Sequence, residues 1–373
     1  MPNNTAPKPI QWDYSINGLL RLRVLDRTGT PGTGFIHKQL SSFLTEETGQ
    51  QPDLIVSQEK NLSTCSQLGV SDNKYHVGED QVCWSSRYKL GSWQVAIDGL
   101  ESPPVRVTFS GNRFAPKYIF FHVVEPLIDY LLALKGSILL HSSGVGDGYR
   151  GYVFASRSGA GKTSLALHLL NSGLPQFLGD EFLILTEKGC VASFPLSINL
   201  FRHNVLSNPF LHPLMSAAER RRITFNWLLY RFSAGWAKPG RSVPITNLFP
   251  DVDIPQMLPL GALAMLVSTD ERDISVLQHD SPIALVDELL KMNKFEFRFL
   301  QGALDAYKTA HPQSEVCLHD DRCRRILASI VEQVPCYQIS VPRRFIFDGT
   351  SAHSELSKLL TLAQLTSATE LPE

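Results

Sequence analysis

The residues best suited to chemistry lie in one short segment, SRSGAGKTS, at 156–164. Gly159 and Gly161 leave the backbone free to curl, so that successive N–H groups can point at a bound anion. Lys162 supplies a compact positive charge, and Thr163 supplies a hydroxyl that can bind Mg²⁺. The pattern predicts a phosphate-binding loop for ATP, with Mg²⁺ as the accompanying cation. Its predicted nucleotide-binding residues are Ser156, Ser158, Gly159, Ala160, Gly161, Lys162, Thr163 and Ser164.

The loop departs from the standard pattern G-x-x-x-x-G-K-[ST] at its first position, where this chain has Ser156. We interpret Ser156 as the residue at which the loop leaves the preceding strand, where close contact with phosphate is not required. The alternative is an ordinary helix-capping turn with a surface lysine. A short apolar strand before the loop and an apolar helical pattern after Gly161 favour the phosphate loop, because a helix N-terminus presents its positive end to an anion.

Two adjacent acids, Asp180 and Glu181, stand in the apolar segment FLGDEFLIL, eighteen residues after Lys162. Their apolar neighbours predict a strand edge, with a tight turn bearing exposed acids as the alternative. A carboxylate there can hold Mg²⁺ together with Thr163, or can take a proton from an attacking hydroxyl. His141, in LLHSSG, is either a hydrogen-bonded core residue or a further polar group of this site. The candidate catalytic residues are Asp180, Glu181, His141 and Lys162, and the candidate metal ligands are Thr163, Asp180 and Glu181.

A second group of side chains that could bind a metal lies in HPQSEVCLHDDRC, at 311–323. It contains His311, Cys317, His319 and Cys323, whose side chains are all metal ligands in other proteins. Neither the C-x-x-C nor the H-x-x-x-H spacing of a zinc site is present. The sequence therefore favours a partly exposed helix start over a metal site.

The hydrophobic pattern predicts the elements that must position these residues. Short alternating runs between Gly, Pro, Asn and Asp turns make residues 1–116 a β-rich N-terminal module, followed by a nucleotide-binding domain over 117–373. Around the loop, YVFA (152–155) is a strand, and KTSLALHLLN (162–171) is a helix that ends at Ser172-Gly173. Further predictions are a hairpin over 182–195, with its turn at 187–189, and a helix over 354–365.

Composition limits the classes of function. The chain has 373 residues, of which 43% are hydrophobic and 19% charged, as in folded globular proteins. Lys plus Arg total 35 and Asp plus Glu total 36, so no broad field attracts nucleic acid or anionic lipid. The most apolar stretch, 117–140, is interrupted by charged residues, and the first residues lack an apolar signal core. We therefore expect a cytoplasmic protein with no nucleic-acid or membrane partner and with six reduced cysteines.

The stretch 138–185 resembles the catalytic domain of HPr kinase/phosphorylase and its wider relatives. That family has a histidine early on a strand, a loop of the form G-x-x-G-x-G-K-[ST], and an acidic pair closing the next segment. This chain has His141 twenty residues before Gly161, then SGAGKT, then Asp180-Glu181. Ser164 stands where the HPr-specific enzymes have glutamate, Glu181 where the second acid is aspartate, and Ser142 where a glycine usually follows the histidine. The resemblance therefore favours a divergent member over the HPr-specific branch.

The resemblance implies an α/β (α+β) fold, with a P-loop domain of the phosphoenolpyruvate carboxykinase/HPr kinase-like type beside the β-rich N-terminal module. It implies a kinase that uses ATP and Mg²⁺ and transfers the γ-phosphoryl group to a hydroxyl. The expected acceptor is a serine of a peptide or protein. Asp180 or Glu181 would be the general base, and His141 a polar partner nearby. A small-molecule kinase, for instance of free serine, and a non-catalytic ATP-binding regulator remain alternatives, as does assembly into a homo-oligomer.

Overall fold

The fold was analysed in a computed structural model, which describes residues 10–28, 33–46, 49–62, 70–72, 74–157, 159–233, 239–279, 281–343 and 345–346. The chain divides into two compact units. Unit 1 comprises Met1–Gly136 and Lys294–Cys323, and unit 2 comprises Ser137–Asn293 and Arg324–Glu373. Both units combine strands with helices, which confirms the predicted α/β class.

The helices of the described residues are numbered in chain order. They are α1 (Gly34–Leu40), α2 (Ala115–Ile119), α3 (Glu125–Leu134), α4 (Lys162–Asn171), α5 (Arg202–Ser207), α6 (Leu211–Leu214), α7 (Ala217–Phe232), α8 (Pro282–Glu296), α9 (Arg298–Ala310) and α10 (His319–Gln333). A π-helical turn at Phe120–Val124 links α2 to α3, so that one nearly continuous helical segment runs from Ala115 to Leu134.

Unit 1 is built on an eight-stranded sheet with the order β1-β2-β3-β8-β7-β6-β5-β4. Its strands are β1 (Ile10–Ile16), β2 (Leu20–Asp26), β3 (Leu54–Gln58), β4 (Val70–Asp72), β5 (Tyr75–Val77), β6 (Gln81–Tyr88), β7 (Gly91–Asp98) and β8 (Val105–Gly111). The pairs β2–β3 and β3–β8 are parallel, and the others are antiparallel. In β2 the buried Leu20, Leu22 and Val24 alternate with half-buried residues, as in a strand with one face on a core.

The predicted domain boundary at residue 116 differs from the boundaries of the compact units. Residues 117–136 belong to unit 1, because the helical segment that begins at Ala115 packs on the first sheet through α2 and α3. Helix α9 also belongs to unit 1, where it contacts β5 and β6. Because unit 1 is assembled from two distant chain segments, no change of composition along the sequence marks its boundaries.

Unit 2 is built on a nine-stranded sheet with the order β12-β10-β11-β17-β14-β13-β9, and β19 pairs with both β17 and β18. Its strands are β9 (Ser137–Leu140), β10 (Ser142–Gly146), β11 (Gly151–Ala155), β12 (Gln176–Gly179), β13 (Leu183–Thr186), β14 (Cys190–Ala192), β17 (Met257–Thr269), β18 (Ser275–Gln278) and β19 (Cys336–Pro342). The long β17 runs parallel to β11 and to β19. A separate pair, β15 (Ile198–Leu200) and β16 (Arg241–Val243), is antiparallel.

The predicted elements around the glycine-rich loop are confirmed. Strand β11 leads into the loop, and α4 begins at Lys162 and ends at Asn171, followed by Gly173 with φ 105°. Leu165 and Leu169 of α4 lie in the buried core of unit 2 with Phe154 of β11. The hairpin β13–β14 turns at residues 187–189 as predicted. The predicted helix over 354–365 lies outside the described residues.

The structure also bears on the state of the cysteines and on membrane-spanning helices. Cys83 is disulfide-bonded, so the prediction of six reduced cysteines is wrong, whereas Cys190, Cys317, Cys323 and Cys336 are free thiols. Scattered cysteine spacing could not show this, because the geometry of a disulfide is decided by tertiary contacts. Within the described part of the chain, every helix is too short or too polar to cross a lipid bilayer.

Candidate active site

The glycine-rich loop has the backbone that an anion-binding turn requires. Gly159 has φ 91°, and Gly161, immediately before α4, has φ 101°. Such left-handed conformations strain residues that carry a Cβ, so glycine at these two positions lets the chain turn into the helix. Helix α4 begins directly after this turn, and the N-terminus of a helix is a favourable position for an anion. Ser158 lies outside the described residues.

Lys162 is held at the base of the loop by two acceptors. Its ammonium group donates to the Ser156 carbonyl oxygen and to His141 Nε2, each at 2.9 Å. Burial, together with the charge of Lys162, lowers the pKa of His141 to about 3, so its imidazole is neutral and accepts at Nε2. Ser156 therefore positions Lys162 through its backbone, while its fully buried hydroxyl donates to the Arg157 carbonyl oxygen at 3.0 Å.

Thr163 and Asp180 meet directly. Thr163 Oγ1 lies 3.1 Å from Asp180 Oδ1 and 3.0 Å from Oδ2, and Asp180 is only 2% exposed. Burial, and next the charge of Glu181, raise the pKa of Asp180 to about 7, against opposing effects of Lys162 and the Thr163 hydrogen bond. The carboxylate is thus in surroundings that disfavour its charge, and a bound cation would reverse that effect.

The Thr163 and Asp180 oxygens fit the coordination shell of Mg²⁺. At Mg–O distances of about 2.0–2.1 Å, adjacent ligands of an octahedral shell lie about 2.9 Å apart. The observed oxygen–oxygen distances of 3.0 and 3.1 Å are close to that spacing. A hydroxyl and a carboxylate are also the hard oxygen donors that Mg²⁺ prefers.

Glu181 has different surroundings from its neighbour Asp180. Its side chain is 37% exposed; Oε1 accepts a hydrogen bond from Asn199 Nδ2 at 3.2 Å, and Oε2 lies 4.0 Å from His141 Nδ1. Its backbone has φ 79°, a conformation that costs a non-glycine residue about 1–3 kcal/mol. The Glu181 carbonyl oxygen, which accepts from the Ser142 N–H at 3.1 Å, helps to hold this turn in place.

Ser164 and Ala160 anchor the loop to the interior of unit 2. Ala160 packs against the core of unit 2. Ser164, which is 3% exposed, accepts a hydrogen bond at Oγ from Asn204 Nδ2 at 3.1 Å, while Asn204 Oδ1 accepts from the Phe201 N–H. This asparagine ties the start of α5 to the first turn of α4. Ser164 is therefore committed to a buried contact.

One cavity of about 400 Å³ joins these residues. The predicted residues that line it are His141, Gly159, Gly161, Lys162, Thr163, Asp180 and Glu181. The remaining lining residues are Phe201, four residues of α5 (Arg202, His203, Asn204 and Leu206), two of α7 (Trp227 and Tyr230) and Pro239.

The part of the cavity formed by α5 and α7 is aromatic and carries a cation. The Arg202 guanidinium lies 4.6 Å from the centre of the Trp227 ring, and His203 stacks on Phe201 with ring centres 5.4 Å apart. Cations over indole rings and stacked aromatic pairs form surfaces suited to planar or anionic ligands.

Sequence reasoning found the loop, the acids and the histidine, and missed the asparagines and α7. Asn199 of β15 and Asn204 of α5 lie in a segment for which the sequence predicted no site residue. Asn293 donates to the Leu139 carbonyl oxygen and accepts from the His141 N–H, although 152 residues separate it from His141. No local spacing signals such a contact.

No model of a known protein family matches this chain, and no curated protein is significantly similar to it.

Proposed function

We propose that this protein is a kinase that transfers the γ-phosphoryl group of ATP to a hydroxyl group, with Mg²⁺ as cofactor, on a P-loop domain of the HPr kinase-like type. The observation that carries the proposal is the convergence of Lys162, Thr163 and Asp180 in one cavity at the N-terminus of α4. A lysine, a hydroxyl and a carboxylate at a helix N-terminus are the set that phosphoryl transfer requires.

In this proposal the loop and α4 bind the triphosphate. The N–H groups after Gly159 and Gly161 and the positive end of α4 attract the phosphate oxygens. Lys162 exchanges its contacts with Ser156 and His141 for contacts with the phosphates, since a charged acceptor binds an ammonium group more strongly than neutral ones. Arg202 adds a second positive charge to the lining of the cavity.

Thr163 and Asp180 are the proposed Mg²⁺ ligands, because their oxygens already have the spacing of such a site. The cation supplies neutralisation of the charge that develops on the transferred phosphoryl group. It also favours the ionised form of Asp180, which burial disfavours when no cation is bound.

Glu181 is the proposed general base. It lines the same cavity, is more exposed than Asp180, and is held by Asn199. As the acceptor oxygen forms its bond to the γ-phosphorus and the bond to ADP breaks, the hydroxyl proton passes to a Glu181 carboxylate oxygen. His141, neutral and hydrogen-bonded to Lys162, holds the lysine in the cavity until the triphosphate binds.

The proposed acceptor is a serine of a peptide or protein. The aromatic side chains of Phe201, Trp227 and Tyr230 beside the acids offer the broad contact area that a peptide can use. A small hydroxyl metabolite is the other acceptor class, and the two are distinguished by experiment.

Calorimetry of Mg-ATP binding tests the nucleotide site. We expect Lys162→Ala to weaken binding by at least about tenfold, because backbone N–H groups alone do not replace a charge on the β- and γ-phosphates. Lys188→Ala, in the exposed turn of the β13–β14 hairpin, is the matched control and should bind as the parent does. Equal Mg-ATP affinities of Lys162→Ala and Lys188→Ala would contradict the proposed nucleotide site.

Incubation of the protein with cell extract, γ-labelled ATP and Mg²⁺, followed by mass spectrometry, tests transfer. Label on serine of a peptide or protein supports the proposed acceptor class, and label on a small metabolite assigns the alternative. Tight ATP binding without transfer to any component would instead indicate a nucleotide-binding regulator.

A further inference from the structure

Unit 1 contains a cluster of potential metal ligands that the proposed kinase site does not use. Asp129 of α3 and His319 and Cys323 of α10 bring one oxygen, one nitrogen and one sulfur atom to within 4.8 Å of one another. Asp129 is 3% exposed and Cys323 is 5% exposed, so two of the three groups are buried. Buried polar groups are ordinarily paired or bound to a metal.

Two of the three ligand–ligand distances are close to those in the shell of a zinc ion, and the third, between Asp129 and Cys323, is within 4.8 Å. At Zn–N and Zn–O distances of about 2.0–2.2 Å and a Zn–S distance of about 2.3 Å, tetrahedral ligand atoms lie about 3.3–3.6 Å apart. Here Asp129 Oδ2 lies 3.5 Å from His319 Nε2, and His319 Nε2 lies 3.7 Å from Cys323 Sγ. Asp129 Oδ2 contacts Nε2, whereas the sulfur lies nearly as close to Nδ1, at 3.8 Å, so a cation coordinated by Nε2 would contact all three ligands after movement of the Cys323 side chain.

The elements explain the convergence. His319 and Cys323 are four residues apart in the first turns of α10, so their side chains lie on one face of the helix. Asp129 comes from α3, 190 residues earlier in the chain. Neighbouring groups hold the imidazole: the Tyr130 ring lies 5.4 Å from the His319 ring, and the Tyr130 hydroxyl is itself fixed by donating to the Leu100 carbonyl oxygen at 2.7 Å.

The charges also suit a divalent cation. An aspartate carboxylate and a cysteine thiolate with a neutral imidazole carry two negative charges, which Zn²⁺ neutralises. Mixed oxygen, nitrogen and sulfur ligands select borderline-soft cations such as Zn²⁺ over Mg²⁺, which prefers oxygen alone. The neighbouring Asp320 is paired with Lys294 at 2.8 Å.

We propose that Asp129, His319 and Cys323 form a zinc site that joins α3 to α10 within unit 1, with water as the fourth ligand. Zinc binding displaces the thiol proton of Cys323 to solvent, and the cation then bridges two helices that are distant in sequence. The site is separate from the proposed Mg²⁺ site, which uses only oxygen ligands. A cation that binds the folded state stabilises it by mass action, so zinc should also raise the resistance of the full chain to unfolding.

A simpler arrangement accounts for part of the geometry. An ion pair between Asp129 and a protonated His319 would explain their 3.5 Å separation, with Cys323 as a buried thiol nearby. In that arrangement the four-residue spacing on α10 alone brings the sulfur near the ring, 3.7 Å from Nε2 and 3.8 Å from Nδ1, and no affinity for zinc is expected. The two arrangements therefore differ in a measurable property.

Zinc titration of the chelator-treated, full-length protein by calorimetry, together with elemental analysis of the protein as purified, tests the proposal. We expect about one zinc ion per chain. Cys323→Ser should weaken zinc binding by at least about tenfold, because the thiolate is the softest of the three ligands. The matched control is Cys317→Ser, since Cys317 lies six residues earlier and bonds only weakly to the His311 carbonyl oxygen. It should bind zinc within about twofold of the parent.

His319→Gln and Asp129→Asn keep the test decisive if Cys323→Ser fails to fold. Each removes a different ligand and should also lower zinc affinity, and zinc should raise the Tm of the parent and of Cys317→Ser only. A folded parent that binds no zinc at micromolar concentration overturns the proposal in favour of the ion pair. Parental zinc affinity in Cys323→Ser overturns it as well.

Discussion

At the residue scale, two adjacent acids of the same chain segment occupy opposite surroundings. Asp180 is buried against the Thr163 hydroxyl, whereas Glu181 turns to the cavity through a left-handed backbone conformation and contacts Asn199. Because consecutive residues point in different directions, one can hold a metal while the other meets a substrate. Strained non-glycine residues are concentrated at functional sites, which accords with the proposed role of Glu181.

The different surroundings predict different defects when each acid becomes its amide. Asp180→Asn should raise the Mg²⁺ concentration needed for ATP binding, because it removes the charge of a metal ligand. Glu181→Gln should leave Mg-ATP affinity within about threefold and lower phosphoryl transfer by about a hundredfold or more, since a general base acts only in the transition state. Mg²⁺ titrations of ATP binding and single-turnover transfer rates check both variants. Transfer at the parental rate by Glu181→Gln would contradict its role as base.

At the element scale, side chains complete hydrogen bonding where strands end. Asn293 of α8 donates to the Leu139 carbonyl oxygen at 2.8 Å and accepts from the His141 N–H at 2.9 Å. It thereby replaces a neighbouring strand at the end of β9 and places His141, which in turn contacts Lys162. The position of Lys162 in the glycine-rich loop thus depends on a helix that begins more than a hundred residues later in the chain.

Truncation of this asparagine should destabilise the protein. Asn293→Ala leaves a buried N–H and a buried carbonyl without their partner, at a cost of roughly 2–4 kcal/mol. Asn171→Ala, at the exposed end of α4, is the control and should change stability by less than about 0.5 kcal/mol. Urea unfolding followed by circular dichroism measures both changes. If Asn293→Ala lowered the free energy of unfolding no more than Asn171→Ala does, this result would contradict a stabilising role of the Asn293 hydrogen bonds.

At the scale of the whole molecule, resistance to acid depends on buried histidines. In unit 1, His122 stacks on Phe299 with ring centres 3.8 Å apart and lies near Trp93 and Tyr118. Burial, and then the charge of Arg298, lower the pKa of His122 to about 4. Because the unfolded chain binds this proton near pH 6.5, the stability contributed by neutral His122 is present above pH 6.5 and is lost as pH falls toward 4.

Replacement by a ring that does not titrate should therefore protect against acid. We expect His122→Phe, which keeps the stacking, to lose about 1–3 kcal/mol less stability than the parent between pH 6.5 and pH 4. His212→Phe, at an exposed histidine, serves as the comparison and should follow the parent. Urea unfolding at a series of pH values gives the curves. Parallel curves for His122→Phe and the parent would show that His122 does not contribute.

The sequence by itself determined the local parts of the site. The strand at β11, the glycine turn and α4 follow one another within about twenty residues, and the pattern of apolar residues and glycines specifies each of them through local backbone preferences. Asp180 and Glu181 were recognised for the same reason, because apolar residues on both sides of two carboxylates are a short-range signal.

Only the tertiary structure decided which side chains meet. It placed Thr163 on Asp180 and not on Glu181, and brought Asn293 to His141 and Asp129 to Cys323 across large sequence separations. It also assembled each compact unit from two chain segments. The physical reason is that hydrophobic periodicity reports which face of an element is buried, whereas the partner of that face depends on how the sheets and helices pack together.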